Sequence, residues 1–263
     1  MKELKDKKIL ITGANGGIGK AVVQKLADAG AGLLLHYFDK ANEAEELQNS
    51  IVKAGGNAFI LQADLSKQEE ATALGQQAWE LLNGIDVLIN NAGVSYKKHF
   101  LDTSAADIDY FFDINFKGTL WLTKTITAKM IEENVPGSIY TITSINGIQP
   151  GAGFSLYGAS KGALETLMKG IAVEVAPYNI TVNTIAPGGI QTDLNTAAWQ
   201  DEQKLKTINE SIPMGRLGQP EEIASILCSL IASNTYMTGV TITIDGGWLL
   251  KHGYEKARKK TKE

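Results

Sequence analysis

A tyrosine and a lysine four positions apart, in Tyr157-Gly158-Ala159-Ser160-Lys161, are the first residues able to do chemistry here. At helical spacing they share one face. An ammonium beside a phenol favours the phenolate and draws the tyrosine below its ordinary pKa of about 10. Such a phenol can exchange a proton with an alcohol near neutral pH. A second segment lies far upstream, Thr12-Gly13-Ala14-Asn15-Gly16-Gly17-Ile18-Gly19. Glycines there allow a sharp turn and a close approach to a phosphate. The free N–H groups and positive dipole end of a following helix suit a pyrophosphate. The spacing is Gly-x-x-x-Gly-x-Gly, not the common Gly-x-Gly-x-x-Gly dinucleotide fingerprint. A phosphate loop of the Walker type is excluded, because Ala14 stands at its first glycine and Ala21 follows Lys20. Alone, each segment has a plainer reading, a surface Tyr–Lys pair and a tight turn that needs glycine.

A third match points elsewhere. Gly158-Ala159-Ser160-Lys161-Gly162 fits the Gly-x-Ser-x-Gly elbow of hydrolases. That elbow needs a strand just before the serine, whereas Gln149-Pro150-Gly151-Ala152-Gly153 is loop-like. It also needs a later histidine, and only His252 follows. A hydrolase is set aside on both counts.

The elements that must position these residues alternate in period. Lys8 to Thr12, Leu33 to Leu35, Ala58 to Ala63 and Ile85 to Asn90 read as short apolar strands. Between them Ile18 to Ala29, Asn42 to Ala54 and Gln68 to Leu82 read as helices, two of them stopped by glycine. Later strands are expected at Ser138 to Thr143, Thr181 to Ile185 and Val240 to Ile244. Later helices are expected at Asp107 to Glu133, bent or split, at Phe154 to Pro177 and at Pro220 to Ala232. Near-continuous apolar strands alternating with helices predict a parallel α/β sheet covered on both faces. The reading is one domain over residues 1–250. Residues 188–215 lack periodicity and read as a long binding loop. Residues 251–263, with six basic and two acidic residues, form a basic tail.

Composition narrows the function. The 263 residues are 44% hydrophobic and 21% charged, ordinary globular values. A net charge of −4 advertises neither a nucleic-acid nor a membrane-surface partner. One cysteine and three histidines without ligand spacing argue against a disulfide or a metal site. The apolar run after the basic N-terminus is too short for a signal-peptide core, and no stretch reaches the length of a membrane span. A cytoplasmic location is expected.

Taken together these motifs resemble the short-chain dehydrogenase/reductase family, in its subgroup of chains of about 250 residues, over roughly residues 5–248. Gly13, Asn15, Gly16, Gly17, Ile18 and Gly19 look like its cofactor turn. Asp64-Leu65 looks like its adenine contact, and Asn90-Asn91-Ala92-Gly93 ends the fourth strand as its motif does. Asn115, Ser144, Tyr157 and Lys161 fall at its catalytic four. Pro187-Gly188-Gly189-Ile190-x-Thr192 looks like its nicotinamide-side turn.

The resemblance implies a doubly wound Rossmann-type sheet of seven parallel strands and a homotetramer or homodimer. It implies hydride transfer between a nicotinamide and a carbonyl or secondary alcohol. In that scheme Tyr157 donates or accepts the proton, and Lys161 lowers its pKa and binds the ribose. Ser144 holds the substrate oxygen, and Asn115 anchors a water. The acidic position of NAD-using relatives falls on Tyr37, and the basic position of NADP-using relatives on Phe38 or Gly16. Asp39, Lys40 or His36 can substitute. The missing acid at Tyr37 favours NADP(H) over NAD(H), with dual use open. Residues 189–248 are similar both to bacterial glucose 1-dehydrogenases and to 3-oxoacyl-carrier-protein reductases. The resemblance is read as a sugar or polyol dehydrogenase, with a thioester reductase as the alternative. Asn146, Phe154 and Trp199 are substrate candidates beside Ser144. A dinucleotide-binding sensor without turnover is the alternative of another class, and the four filled catalytic positions argue against it.

Overall fold

The computed structural model of the protein describes residues 4–251. The expected tail, apart from Lys251, and His252 lie outside them. Seven parallel strands form one sheet in the order β3-β2-β1-β4-β5-β6-β7. They are β1 (Lys8–Ile11), β2 (Gly32–Tyr37), β3 (Asn57–Gln62), β4 (Val87–Asn90), β5 (Gly137–Ile142), β6 (Ile180–Pro187) and β7 (Thr241–Ile244). The helices between them are α1 (Gly17–Asp28), α2 (Ala41–Lys53), α3 (Gln68–Leu82), α4 (Ala105–Phe112), α5 (Thr119–Glu132), α6 (Ser155–Val175), α7 (Thr196–Trp199), α8 (Glu202–Ser211) and α9 (Pro220–Ser233). The chain runs outward from β1 to β3, then returns to pair β4 with β1. This reversal opens a crevice at the carboxyl ends of β1 and β4, where a doubly wound sheet binds its ligands.

Although the strands read as continuous apolar runs, their alternation divides the core in two. Ile9, Ile11, Leu33 and Leu35 face Val22, Leu26, Ile223 and Leu227 of α1 and α9. Leu10, Leu34, Leu88 and Val182 face Leu74, Leu122, Ile126, Leu164 and Met168 of α3, α5 and α6. Successive side chains point to opposite faces, so a sheet covered twice needs both sets. Helix ends follow local chemistry. Asn83 takes a left-handed φ of 54° after α3, and Pro220 opens α9 behind a Gln219–Glu222 capping box.

One expectation holds and one changes. The helix expected to be bent or split after Asp107 is split, by a π-helical turn at Asp113–Gly118. There Gly118 lies so close to β3's exit that a Cβ would meet the Leu65 carbonyl oxygen at 2.2 Å. The region 188–215 is not a bare loop, for it contains α8. Its Leu205 and Ile208 are only partly buried, and nothing on α8 is fully buried. A helix with so narrow an apolar stripe gives little periodic signal. Asp201, which accepts from Gln203 and Lys204 N–H at 3.0 Å, was its legible start.

Candidate active site

The glycine turn leaves β1 and is fastened from two sides. Thr12 Oγ1 accepts from the Asn91 and Ala92 amides at 3.0 and 2.9 Å. The Asn91 side chain donates to the Thr12 and Gly13 carbonyls at 3.0 and 2.9 Å. Asn91 therefore spends its amide on the turn, while the backbone of Ala92 and Gly93 borders the crevice. Asn15 donates to the Asp39 carbonyl at 3.0 Å. Gly16 precedes α1, and no side chain caps that helix or places a carboxylate in its first turn. Gly19 is compressed against the turn, since a Cβ there would sit 2.0 Å from the Gly13 oxygen. A bare helix start beneath a glycine turn compressed at Gly19 fits a pyrophosphate.

At the end of β2, Tyr37 is buried and Phe38 is exposed on the lip. His36, a candidate for a 2′-phosphate in the sequence, is 1% exposed, with both ring nitrogens on backbone groups. Burial lowers its pKa to about 4, so it is neutral and unable to meet a phosphate. Lys40 is exposed, with φ 55°, and pairs with Glu43 at 3.2 Å. Asp64 Oδ1 accepts from the Ser66 amide and hydroxyl at 3.0 and 2.7 Å. Burial works against its charge, yet the Ser66 bonds and nearby Lys67 hold the carboxyl below its ordinary range. Leu65 is a buried core residue packed on Gly118.

Across the crevice, β5 delivers Ser144 and α6 delivers Tyr157 and Lys161. Ser144 is buried, and its Oγ accepts from the Asn146 amide at 3.1 Å. Ser144 and Ser95 both hydrogen-bond the Tyr157 phenol. Phe111 and Phe154 flank that ring, each with centroids at 6.2 Å. Lys161 is buried and donates from Nζ to the Ile142 carbonyl at 3.0 Å. Asn115, fully buried in the π turn, grips Val94 by both backbone groups, accepting from its N–H at 2.8 Å and donating to its carbonyl at 3.1 Å. Its amide also donates to Ser160 Oγ at 3.1 Å. Asn115 Oδ1 and Lys161 Nζ converge on Gly93, where a Cβ would meet them at 3.0 and 3.1 Å.

The expected lowering of Tyr157 is reversed. Burial raises the phenol above its ordinary value, and the Ser144 and Ser95 hydrogen bonds only offset it. Burial likewise lowers Lys161 to about 8. Burial, partial at Tyr157, disfavours both charged forms, and the ammonium donates to a carbonyl.

The far wall is the exit of β6. Pro187 and Ile190 are buried, and Gly188 packs on Asp245. Thr192 crosses to the glycine turn, its Cγ2 lying 3.2 Å from where a Gly17 Cβ would be. The Trp199 indole donates to the Thr192 carbonyl at 3.0 Å, which ties α7 to this wall. Asn146 Oδ1 accepts from the Gly151 amide at 3.0 Å, so that oxygen orders its own loop.

The chain is similar to known proteins over nearly its whole length. Residues 13–249 match the family model described as Enoyl-(Acyl carrier protein) reductase. The chain is 38% identical to a 3-oxoacyl-[acyl-carrier-protein] reductase of Aquifex aeolicus over 93% of its own length and 98% of the relative's. It is 32% identical to 3beta-hydroxysteroid dehydrogenase 1 of Eggerthella lenta, over 96% and 97%. A Burkholderia cenocepacia short-chain dehydrogenase solved with NADP superposes with a TM-score of 0.87 at 27% identity, covering 94% of this chain and 99% of that one. A blue fluorescent protein from a metagenomic library, solved with NADPH, gives 0.87 at 29% identity, again over 94% and 99%. The chain belongs to the short-chain dehydrogenase/reductase family. It is an NAD(P)-dependent oxidoreductase.

Two features of this dehydrogenase/reductase were missed in the sequence, although Ser104-x-x-Asp107 carries a capping-box signal. Ser95 follows the fourth-strand motif in an aperiodic loop, and only the fold brings it to Tyr157. Asp107 gathers Lys98 at 2.8 Å and the Tyr96 hydroxyl at 2.7 Å, fastening that loop to α4. Lys98, with Ser104 and Tyr96, holds the Asp107 carboxyl far below its ordinary range, and Asp107 pushes Tyr96 up to about 12. Among the described residues no cluster suits a metal ion, and no helix is long and apolar enough to cross a membrane.

Proposed function

We propose that the protein interconverts a carbonyl compound and its secondary alcohol, with Tyr157 as the proton-transfer group. The observation that carries this is the phenol of Tyr157 with the Ser144 hydroxyl upon it, one helical turn from Lys161. The bound dinucleotide supplies or accepts the hydride. Tyr157 gives its proton to the substrate oxygen in reduction and takes it back in oxidation. Ser144 Oγ donates to that same oxygen and steadies its developing charge. Lys161, charged below pH about 8, favours the phenolate once the proton has left. Asn115 holds the Val94 backbone and thereby the loop that carries Ser95. The backbone of Gly13 and residues 15–19 would take the pyrophosphate. Asp64 stands at the adenine side, with the backbone of residues 91–93 and Thr192 bordering the remainder.

NADP(H) is the preferred cofactor in this reading. Exposed Lys40 at the end of β2 supports it, as do the NADP and NADPH in two similar structures. For the substrate, a 3-oxoacyl thioester or another carbonyl with an apolar body is favoured over a sugar. Asn146 has its oxygen engaged, whereas Ile148, Leu194 and Met214, on the loops after Ser144 and Thr192, are exposed apolar side chains. Exposed Phe100, Leu101, Ile108 and Tyr110 on and beside α4 support a homotetramer or homodimer.

Initial rates with NADH, NADPH, NAD and NADP across an acetoacetyl thioester, a steroid, glucose and a polyol test the reading, each beside Tyr157→Phe. Thioester or steroid turnover that vanishes in the variant is expected. Turnover confined to glucose would restore the sugar assignment. Tight dinucleotide binding without turnover on any arm would overturn the catalytic reading.

A further inference from the structure

We propose that His36 is a positioning residue for the dinucleotide turn, holding the Gly13 amide through Nδ1. The inference rests on reading residues 13–19 as that turn.

His36 lies in β2, on the adenosine side of the crevice, and is 1% exposed. The Gly13 N–H donates to its Nδ1 at 3.2 Å. Its own carbonyl accepts from the Ala14 N–H at 2.9 Å. Its Nε2 lies 3.0 Å from the Ala63 carbonyl at the exit of β3. These partners fix the tautomer without ambiguity. A carbonyl can only accept, so Nε2 carries the hydrogen. An amide N–H can only donate, so Nδ1 offers its lone pair. The ring is a neutral strut between β3 and the turn.

The placement is selective. Gly13 takes a left-handed φ of 61°. Both of its backbone polar groups are held, the N–H by His36 and the carbonyl by the Asn91 side chain. Ala14 and Asn15 are held by the backbone of His36 and Asp39. His36 Nδ1 is thus the one side-chain contact from β2 to the backbone of the turn among the described residues, and it acts where the chain reverses. Beyond it the amides at the start of α1 have no side-chain cap. Fixing Gly13 fixes where those amides point. A turn free to rock would present the same groups to a phosphate at the cost of ordering them on binding.

Two amides of different length separate the two nitrogens. An asparagine side-chain amide reaches the place of Nδ1, and a glutamine amide reaches that of Nε2. His36→Asn keeps an acceptor for Gly13 and gives up Ala63. His36→Gln does the reverse, and His36→Leu gives up both. Dissociation constants for NADPH and NADH, measured by fluorescence, are read beside steady-state kinetics and urea midpoints for the full chain. His36→Asn is expected to bind within about threefold of wild type. His36→Gln and His36→Leu are expected to bind about tenfold more weakly, the scale of one lost hydrogen bond. The loss should appear in the dinucleotide KM more than in kcat. If wild type binds and His36→Gln matches His36→Asn, the inference falls while the dinucleotide reading stands. If affinity merely follows the urea midpoint across the three variants, His36 is structural only and the inference falls. If wild type binds neither dinucleotide, the reading of residues 13–19 falls with it.

Discussion

Replacing Lys161 by methionine should make the protein more stable while ending its activity. Lys161 is buried, and burial lowers it from 10.5 to about 8. At about 1.4 kcal/mol per pH unit, that displacement means the charged form costs about 3 kcal/mol in the folded state. The pH dependence follows from proton counts. Below about 8 both folded and unfolded chains hold the proton, so the whole cost is present. Between about 8 and 10.5 only the unfolded chain holds it, so wild-type stability rises with pH. Above 10.5 neither does, and the cost is gone. Methionine fills a similar volume without charge but leaves the Ile142 carbonyl without its 3.0 Å donor, worth about 1 kcal/mol. The net gain at pH 7 is about 2 kcal/mol. Equilibrium urea unfolding at pH 7 and pH 9.5 reads it directly. The variant's midpoint should exceed wild type at pH 7, and the gap should narrow at pH 9.5. An equal or lower midpoint at pH 7, or a gap that ignores pH, would refute the argument that burial sets the state of this lysine.

Three further perturbations have defined outcomes. Tyr157→Phe keeps its ring between Phe111 and Phe154 but loses the hydroxyl met by Ser144 and Ser95, so dinucleotide affinity should stay while kcat falls by orders of magnitude. Thr12→Val strands the Asn91 and Ala92 amides and should cost about 2–4 kcal/mol in urea unfolding, with Thr12→Ser restoring most of it. Gly19→Ala forces a Cβ to within 2.0 Å of the Gly13 oxygen, and calorimetric titration should find dinucleotide binding weakened at least tenfold.

The sheet was legible because its strands are short apolar runs closed by glycine or asparagine, and because each helix between them buries a clear stripe. Gln68 to Leu82 shows this well, for the expected helix and α3 coincide. Strand ends were less legible. β2 runs on through His36 and Tyr37, and β6 through Ala186 and Pro187, because pairing with β3 and β7 continues past the apolar run. The candidate site was legible where spacing carries meaning, as at Tyr157 and Lys161. It was not legible where a residue acts by what the fold brings to it. Asn91 turned to the glycine loop, Asn115 to the Val94 backbone, and His36 to two peptides rather than to a phosphate. The balance of charge and burial at Tyr157 is also a property of the folded pocket, which no local sequence encodes.

The π turn at Asp113–Gly118 sets a count that the chain cannot change. A wide turn is one residue added to a helix, so α4 and α5 run one step out of phase. Deleting a residue there would restore a regular helix, at little local cost. It would also rotate everything before it by about 100° relative to everything after. Asp107 would swing off Tyr96 and Lys98, and Phe111 off Tyr157, while α5 kept its place on α3. Insertions and deletions should therefore be tolerated in the turns between α2 and β3 or α3 and β4 and rejected between 113 and 118. There the length of the chain, rather than the identity of any one side chain, sets the relation of α4 to α5.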